Sequence, residues 1–229
     1  MDQEEDNKSK TKSMSNLYPS DLEKQYYAYI DFSVDDEPLG FISILLYSDL
    51  QPITCTNFIS LCKGEPQKPV KSSKSVKYPR LISANPKISY KVNIVHRGIP
   101  GFVIHLGDIT KNDGRGGKSI YGYKFDDEDL TLEHDSPGLV AMANLGPDTN
   151  VSQFYITLGS CSWLDGDYVI FGEILDGMDV VETIGNTYGT QNGLMRAQVK
   201  VVDCGYVVGK ETYEQWKVLR VGHTLDEIE

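Results

Sequence analysis

Val-Asn-Ile-Val-His-Arg-Gly-Ile-Pro-Gly-Phe-Val-Ile-His-Leu-Gly-Asp runs from Val92 to Asp108, and Met-Ala-Asn-Leu-Gly-Pro-Asp-Thr-Asn-Val-Ser-Gln-Phe-Tyr-Ile-Thr from Met142 to Thr157. In both, short runs of β-branched and aromatic residues are cut by Gly and Pro, the pattern of brief strands joined by sharp turns. Between them lie a glycine-rich turn, Asn112 to Ser119, and the acidic run Asp126-Asp-Glu-Asp129. The two stretches offer one arginine, apolar and aromatic side chains, and a few amides. Those groups suit holding a peptide; they make no phosphate cradle, metal site or nucleophile triad.

Working outward, the alternation in Tyr26–Ser33 and Gly40–Tyr47 predicts a hairpin turning at Asp35 to Pro38. Pro52 sits near a helix start and Gly64 is its stop. Further strands are expected at Tyr90–Val95, Gly101–Leu106, Gly138–Asn144, Gln153–Leu158, Val169–Gly172 and Gln198–Val207, with helices at Gly177–Ile184 and Glu211–Arg220. Many short strands and two separated helices give an all-β barrel capped by helices. Residues 1–25 read as a disordered or weakly structured tail, although Ser20 to Glu23 could cap a short helix. Residues 26–208 form the domain, and 209–229 a C-terminal extension with helical pattern. A loop insertion, 65–89, carries Lys68, Lys71, Lys74, Lys77, Arg80 and Lys87 against Glu65. It reads as a solvated insert, or else as a contact for an acidic partner or RNA.

The formal net charge of −11 argues against a general nucleic-acid binder. No apolar run is long enough to span a membrane or serve as a signal peptide. Cys55, Cys62, Cys161 and Cys204 have no metal-site spacing and are expected to be free thiols in a reducing compartment. The sequons at Asn7 and Asn150 carry little weight without a secretory signal.

Asn112 stands where a phosphate-binding loop would have glycine, so Asn112 to Ser119 is a surface turn. The consecutive acids at Asp126 to Asp129 are expected to fan into solvent. His96 and His105 lack a third ligand, and their spacing along a strand puts them on opposite faces unless a bulge intervenes. Arg97, before Pro100-Gly101-Phe102, supports a surface role and a functional one equally.

From about Tyr27 to Val208 the chain resembles the cyclophilins, the peptidyl-prolyl cis–trans isomerases. The resemblance lies in His96-Arg97…Pro100-Gly101-Phe102, Gly107-Asp108, Asp113 to Gly122, Met142-Ala143-Asn144, Ser152-Gln153-Phe154 and Trp163-Leu164-Asp165-Gly166, in the family's order. It implies a closed eight-stranded antiparallel barrel with two capping helices and a substrate groove on its outer face. It implies Arg97 as the catalytic residue, donating a hydrogen bond to the prolyl nitrogen. Phe102, Val103, His105, Ala143, Asn144, Gln153, Tyr155, Trp163, Leu164 and Tyr168 would bind substrate, and Tyr123 and Leu145 would rim a neighbouring pocket.

Four positions depart from the family's commonest pattern: Val103 replaces methionine, His105 glutamine, Tyr155 phenylalanine and Tyr168 histidine. They imply reduced isomerase activity, falling at acid pH if neutral His105 is required. The partners implied are proline-containing peptides and proteins, with cyclosporin binding at Trp163. No cofactor, metal or membrane is implied, and nucleic acid is not expected, with the basic loop 65–89 as the candidate contact for a further partner. The expectation is a monomer assisting protein folding in the cytoplasm, or alternatively the nucleus. The alternative is a non-catalytic proline-peptide adaptor in a larger complex, such as a spliceosomal one.

Overall fold

The structure is a computed structural model describing residues 25–64 and 88–221. The N-terminal tail, most of the basic insertion and the last residues lie outside the described residues. Strands β1 (Tyr26–Val34) and β2 (Glu37–Leu46) form the expected hairpin, followed by helix α1 (Pro52–Lys63). Next come β3 (Arg97–Ile99), β4 (Val103–Leu106), β5 (Leu139–Met142), β6 (Phe154–Thr157) and β7 (Ile170–Asp176). Helix α2 (Met178–Glu182) runs into a wider π turn over Thr183–Tyr188, followed by β8 (Val199–Val208) and α3 (Lys210–Val221).

All strands join one antiparallel sheet in the order β3-β4-β6-β5-β7-β2-β1-β8. The expected closed barrel is corrected: the sheet curls as a half-barrel and β3 and β8 do not pair. Its ends are laced instead by the segment before β3. Val92 and Val95 N–H donate to Val201 and Val199 carbonyls, and Val201 N–H donates to Asn93. The strand expected at Tyr90–Val95 is absent apart from a single bridge, Ile94 with Lys200. The reason is local, since Val92 takes φ 62°, a left-handed conformation that ends extended pairing. Arg97–Ile99, expected to lead into a turn, is itself strand, and Pro100-Gly101 turns it onto β4.

Period-two alternation divides the side chains between two clusters. Ile104, Leu106, Val140, Met142, Phe154, Ile156 and Phe171 face inward, where Phe58 and Leu61 of α1 cover them. Val103, Leu139, Ala141, Tyr155 and Ile170 face outward and form a second, smaller apolar cluster with Tyr47.

Pro52 opens α1, and Gly64, at φ 76°, closes it by donating its N–H to Ser60. The first turn is capped from far along the chain. Glu128 accepts bonds from Ile53 N–H at 2.9 Å and Thr54 N–H at 2.7 Å. Two helices were expected to cap the sheet; a third, α3, also packs on it. Tyr213 stacks on Tyr27 at 4.4 Å, Trp216 on Tyr29 at 4.8 Å, and the Arg220 guanidinium lies 4.6 Å over Tyr29. Tyr213 also bonds Ser43 at 2.7 Å, so the extension is fastened to β1 and β2.

Candidate functional site

Cross-strand register builds the site. Arg97 on β3 lies opposite His105 on β4, His105 opposite Tyr155 on β6, and Tyr155 opposite Ala141 on β5. Directly opposite residues share a sheet face, so the row runs across the outer face. Val103, two residues before His105, shares it. Phe102, Ala143, Leu164 and Tyr168 pack against the same outer cluster. The implied pocket residues are therefore contiguous, with Val103 and Tyr155 buried as a floor. Trp163, 68% exposed in a short 3-10 turn, holds its ring 5.6 Å from that of Phe102.

The floor contains a polar chain that sequence reasoning missed. The Tyr155 ring stacks on His105 at 5.4 Å, and Tyr168 stands edge-on to it at 5.7 Å. Its hydroxyl meets His134 Nε2 at 2.8 Å. His134 Nδ1 lies 2.9 Å from Asp165 Oδ1, which also accepts the His134 backbone N–H at 2.7 Å. An ionised carboxylate only accepts, so Nδ1 carries a proton towards Asp165, and Nε2 shares a hydrogen bond with the tyrosine hydroxyl. His134 is fully buried. The order Tyr–His–Asp has the outward form of a nucleophilic triad. Yet burial first, then the Tyr168, Cys161 and Asp165 charges, push the Tyr155 ionisation up, so it remains a proton-bearing hydroxyl. The chain is a brace between β6 and the turn that carries Leu164. One signal was available, the hydroxyl at a phenylalanine position, but its partner lies 21 residues earlier in an unremarkable loop.

Asp108 organises the glycine-rich turn. Its Oδ1 accepts from Thr110 and Lys111 N–H and the Thr110 hydroxyl, and its Oδ2 from Asp113, Gly114 and Gly116 N–H. Burial pushes the Asp108 pKa up, but these bonds outweigh it and hold it down at about 2. The backbone amides that a phosphate loop would aim at a ligand are aimed at a carboxylate of the chain itself. A Cβ on Gly116 would lie 2.1 Å from Thr110 Oγ1, so only glycine fits. Gln153 donates through Nε2 to Gly114 and Gly116 carbonyls, at 3.1 and 2.8 Å. The loop thus fixes Gln153 through its amide nitrogen.

Arg97 is exposed, and the loop after the π turn supports its stem. Gly98 N–H donates to Gly193, and a Cβ on Gly193 would sit 2.8 Å from Arg97 Nε. His96 and His105 were expected on opposite faces. The intervening hairpin instead brings their rings to 6.2 Å, edge to face. Among the described residues no group of three or more possible metal ligands exists. Burial first, then His96 and Arg97, lower the His105 pKa to about 3. That shift keeps His105 uncharged over the range in which a free histidine titrates, so this ring supplies no reason for a loss at acid pH.

Asn144 donates through Nδ2 to the Asp167 carbonyl at 2.7 Å. Leu145 is 97% exposed and lines a cleft beside Tyr168; Tyr123, 73% exposed, is not among that cleft's lining. The acidic run is not simply solvated, also a correction. Glu128 caps α1, and Asp127 Oδ1 accepts from Asn150 Nδ2 at 2.6 Å. Asn150 is itself buried, which removes its sequon from the surface. The four cysteines are free and buried.

A family model described as cyclophilin type peptidyl-prolyl cis-trans isomerase/CLD matches residues 29–206. The chain belongs to the cyclophilin-type peptidyl-prolyl isomerase family.

Proposed function

We propose that this member of the family is a working peptidyl-prolyl cis–trans isomerase that binds X–Pro segments across the outer face and assists protein folding. The observation that carries the reading is the row Arg97–His105–Tyr155, which sets one exposed guanidinium at the border of a buried apolar floor. The X–Pro bond resists rotation because amide resonance raises a barrier of about 18–20 kcal/mol. At the twisted midpoint that resonance is lost and the prolyl nitrogen gains a lone pair. A guanidinium is a rigid, permanently cationic donor, and a hydrogen bond from Arg97 to that nitrogen favours the twisted state over either planar one. The proline ring packs on Val103, Tyr155 and Phe102, while Gln153 and the Asn144 backbone hold the flanking peptide, so one side of the bond is fixed as the other turns. No bond to the enzyme forms, and none of these steps calls on a cofactor.

Leu145 is proposed to rim the cleft beside Tyr168, whereas Tyr123 does not line it and takes no proposed role there. Trp163 beside Phe102 is the proposed cyclosporin contact, weakened by Val103 and Tyr168. Free buried thiols suit a reducing compartment, so the proposed place of action is the cytoplasm, with the nucleus as the alternative. The test is cis–trans isomerisation of a short Ala-Pro-Phe peptide with and without cyclosporin. Turnover blocked by the drug supports the isomerase. Peptide binding without turnover would make the chain a proline-peptide adaptor.

A further inference from the structure

Beside the proposed proline pocket lies a cleft of about 390 Å³, with Tyr168 as the wall the two share. Leu145 and Pro147 give it an apolar side, and Asp127 and Asp167 give it two carboxylates. Among the described residues no lysine, arginine or histidine lines it. The two acids are held differently. Asp127 is fixed, its oxygens accepting from Asn150 Nδ2 at 2.6 Å and Asp148 N–H at 2.8 Å. Asp167 is fixed only through its main chain, whose carbonyl accepts from Asn144. Its exposed carboxylate takes no hydrogen bond or ion pair among the described residues. Leu145, 97% exposed, leaves an apolar side chain uncovered at the rim.

An apolar rim leading to unneutralised carboxylates matches one kind of side chain. Lysine and arginine lay an aliphatic stem along apolar surface and keep the charged head for an anion. We propose that this cleft is a subsite for a lysine or arginine close in sequence to the bound proline. The preferred substrates are then basic X–Pro segments. The inference rests on the proline-peptide reading above, and continuity supports it. Asn144, expected to hold the peptide, lines the cleft, so a chain seated on Val103 and Tyr155 passes its mouth. The net charge of −11 steers basic segments in the same direction.

The test uses the full chain and Ala-Pro peptides carrying a single lysine, or glutamine in its place, at each of the positions flanking the proline. Binding is measured by NMR titration and turnover is followed separately. In at least one register lysine should bind about three- to tenfold more tightly than glutamine, the scale of one or two exposed ion pairs, and the ratio should shrink with salt. Asp167→Asn should reduce that ratio, and Asp167→Lys should invert it, so that glutamine binds more tightly than lysine. Asp179→Asn, an exposed acid of α2 outside the cleft, should leave it unchanged. Equal binding of lysine and glutamine in every register would overturn the subsite. So would a preference that falls equally with Asp179→Asn, since it would then report net charge alone. Absence of turnover would count against the isomerase while the binding ratios still decide the subsite.

Discussion

Replacing His134 with phenylalanine removes the middle of the Tyr155–His134–Asp165 brace while keeping a planar ring in its place. Tyr155, only 2% exposed, would keep a hydroxyl with its His134 partner removed, and Asp165 would lose one of its two bonds from residue 134. An unsatisfied buried hydroxyl costs about 1–3 kcal/mol and the lost charge-assisted bond adds to it, so a loss of roughly 3 kcal/mol is expected. Tyr155→Phe alone leaves His134 Nε2 unpaired, for about 1–2 kcal/mol. In the double variant no buried hydroxyl remains to be orphaned, so its loss should fall short of the sum by about 1–2 kcal/mol. Denaturant unfolding of the four proteins measures this directly. The brace also supports the floor of the proposed proline pocket, so His134→Phe should weaken Ala-Pro peptide binding by about fivefold, the effect of a shift near 1 kcal/mol. Losses that simply add would refute the coupling. Unchanged peptide affinity would refute the positioning role even if stability fell.

Asp108→Asn should destabilise the protein and loosen Gln153, with a rise in peptide Kd. Because the folded pKa of Asp108, about 2, lies below its ordinary value, its contribution is present above about pH 4 and is lost as pH falls towards 2; unfolding across that window should show a slope that Asp108→Asn removes. His105 has the same sign for a different reason. With its folded pKa near 3 it is neutral in the fold while the unfolded chain takes up a proton, so stability falls between about pH 6.5 and 3 as catalysis stays flat from about pH 5.5 to 8. His105→Gln should reduce that stability slope, and a catalytic step in the higher range that tracks His105 would contradict the assignment. Val92, β-branched, 75% exposed and left-handed, stores strain that Val92→Asn relieves; a gain of roughly 1 kcal/mol, about 2–4 °C in Tm, is expected.

The sheet was legible because each strand alternates, and hydrophobic period alone places Val103 and Tyr155 on one face and Ile104 and Phe154 on the other. Pro52 and Gly64 marked α1 by the backbone freedom each residue lacks or has. What failed depended on contacts distant in sequence. Glu128 reads as one solvated acid among four until α1 lies beneath it. His134 has no motif of its own and gains its role only when β6 and the Asp165 turn meet around it. The break at Val92 was illegible for the opposite reason, since valine is a poor residue for the conformation it takes. Barrel closure failed with it, for the segment that would pair β3 to β8 is bent there. At the site, Arg97 could not be separated from a surface arginine by local pattern. The register that aligns it with His105 and Tyr155 supplied the distinction.

The central claim is that Arg97 acts on the rotating bond rather than merely on the bound peptide. Exchange spectroscopy on an Ala-Pro peptide, with wild type and with Arg97→Ala, reads affinity and interconversion rate in one experiment. Loss of one preorganised donor aimed at developing electron density should slow exchange by about 10²–10³-fold. Peptide affinity should change far less. Equal exchange rates at saturating peptide, or a loss confined to affinity, would contradict the account.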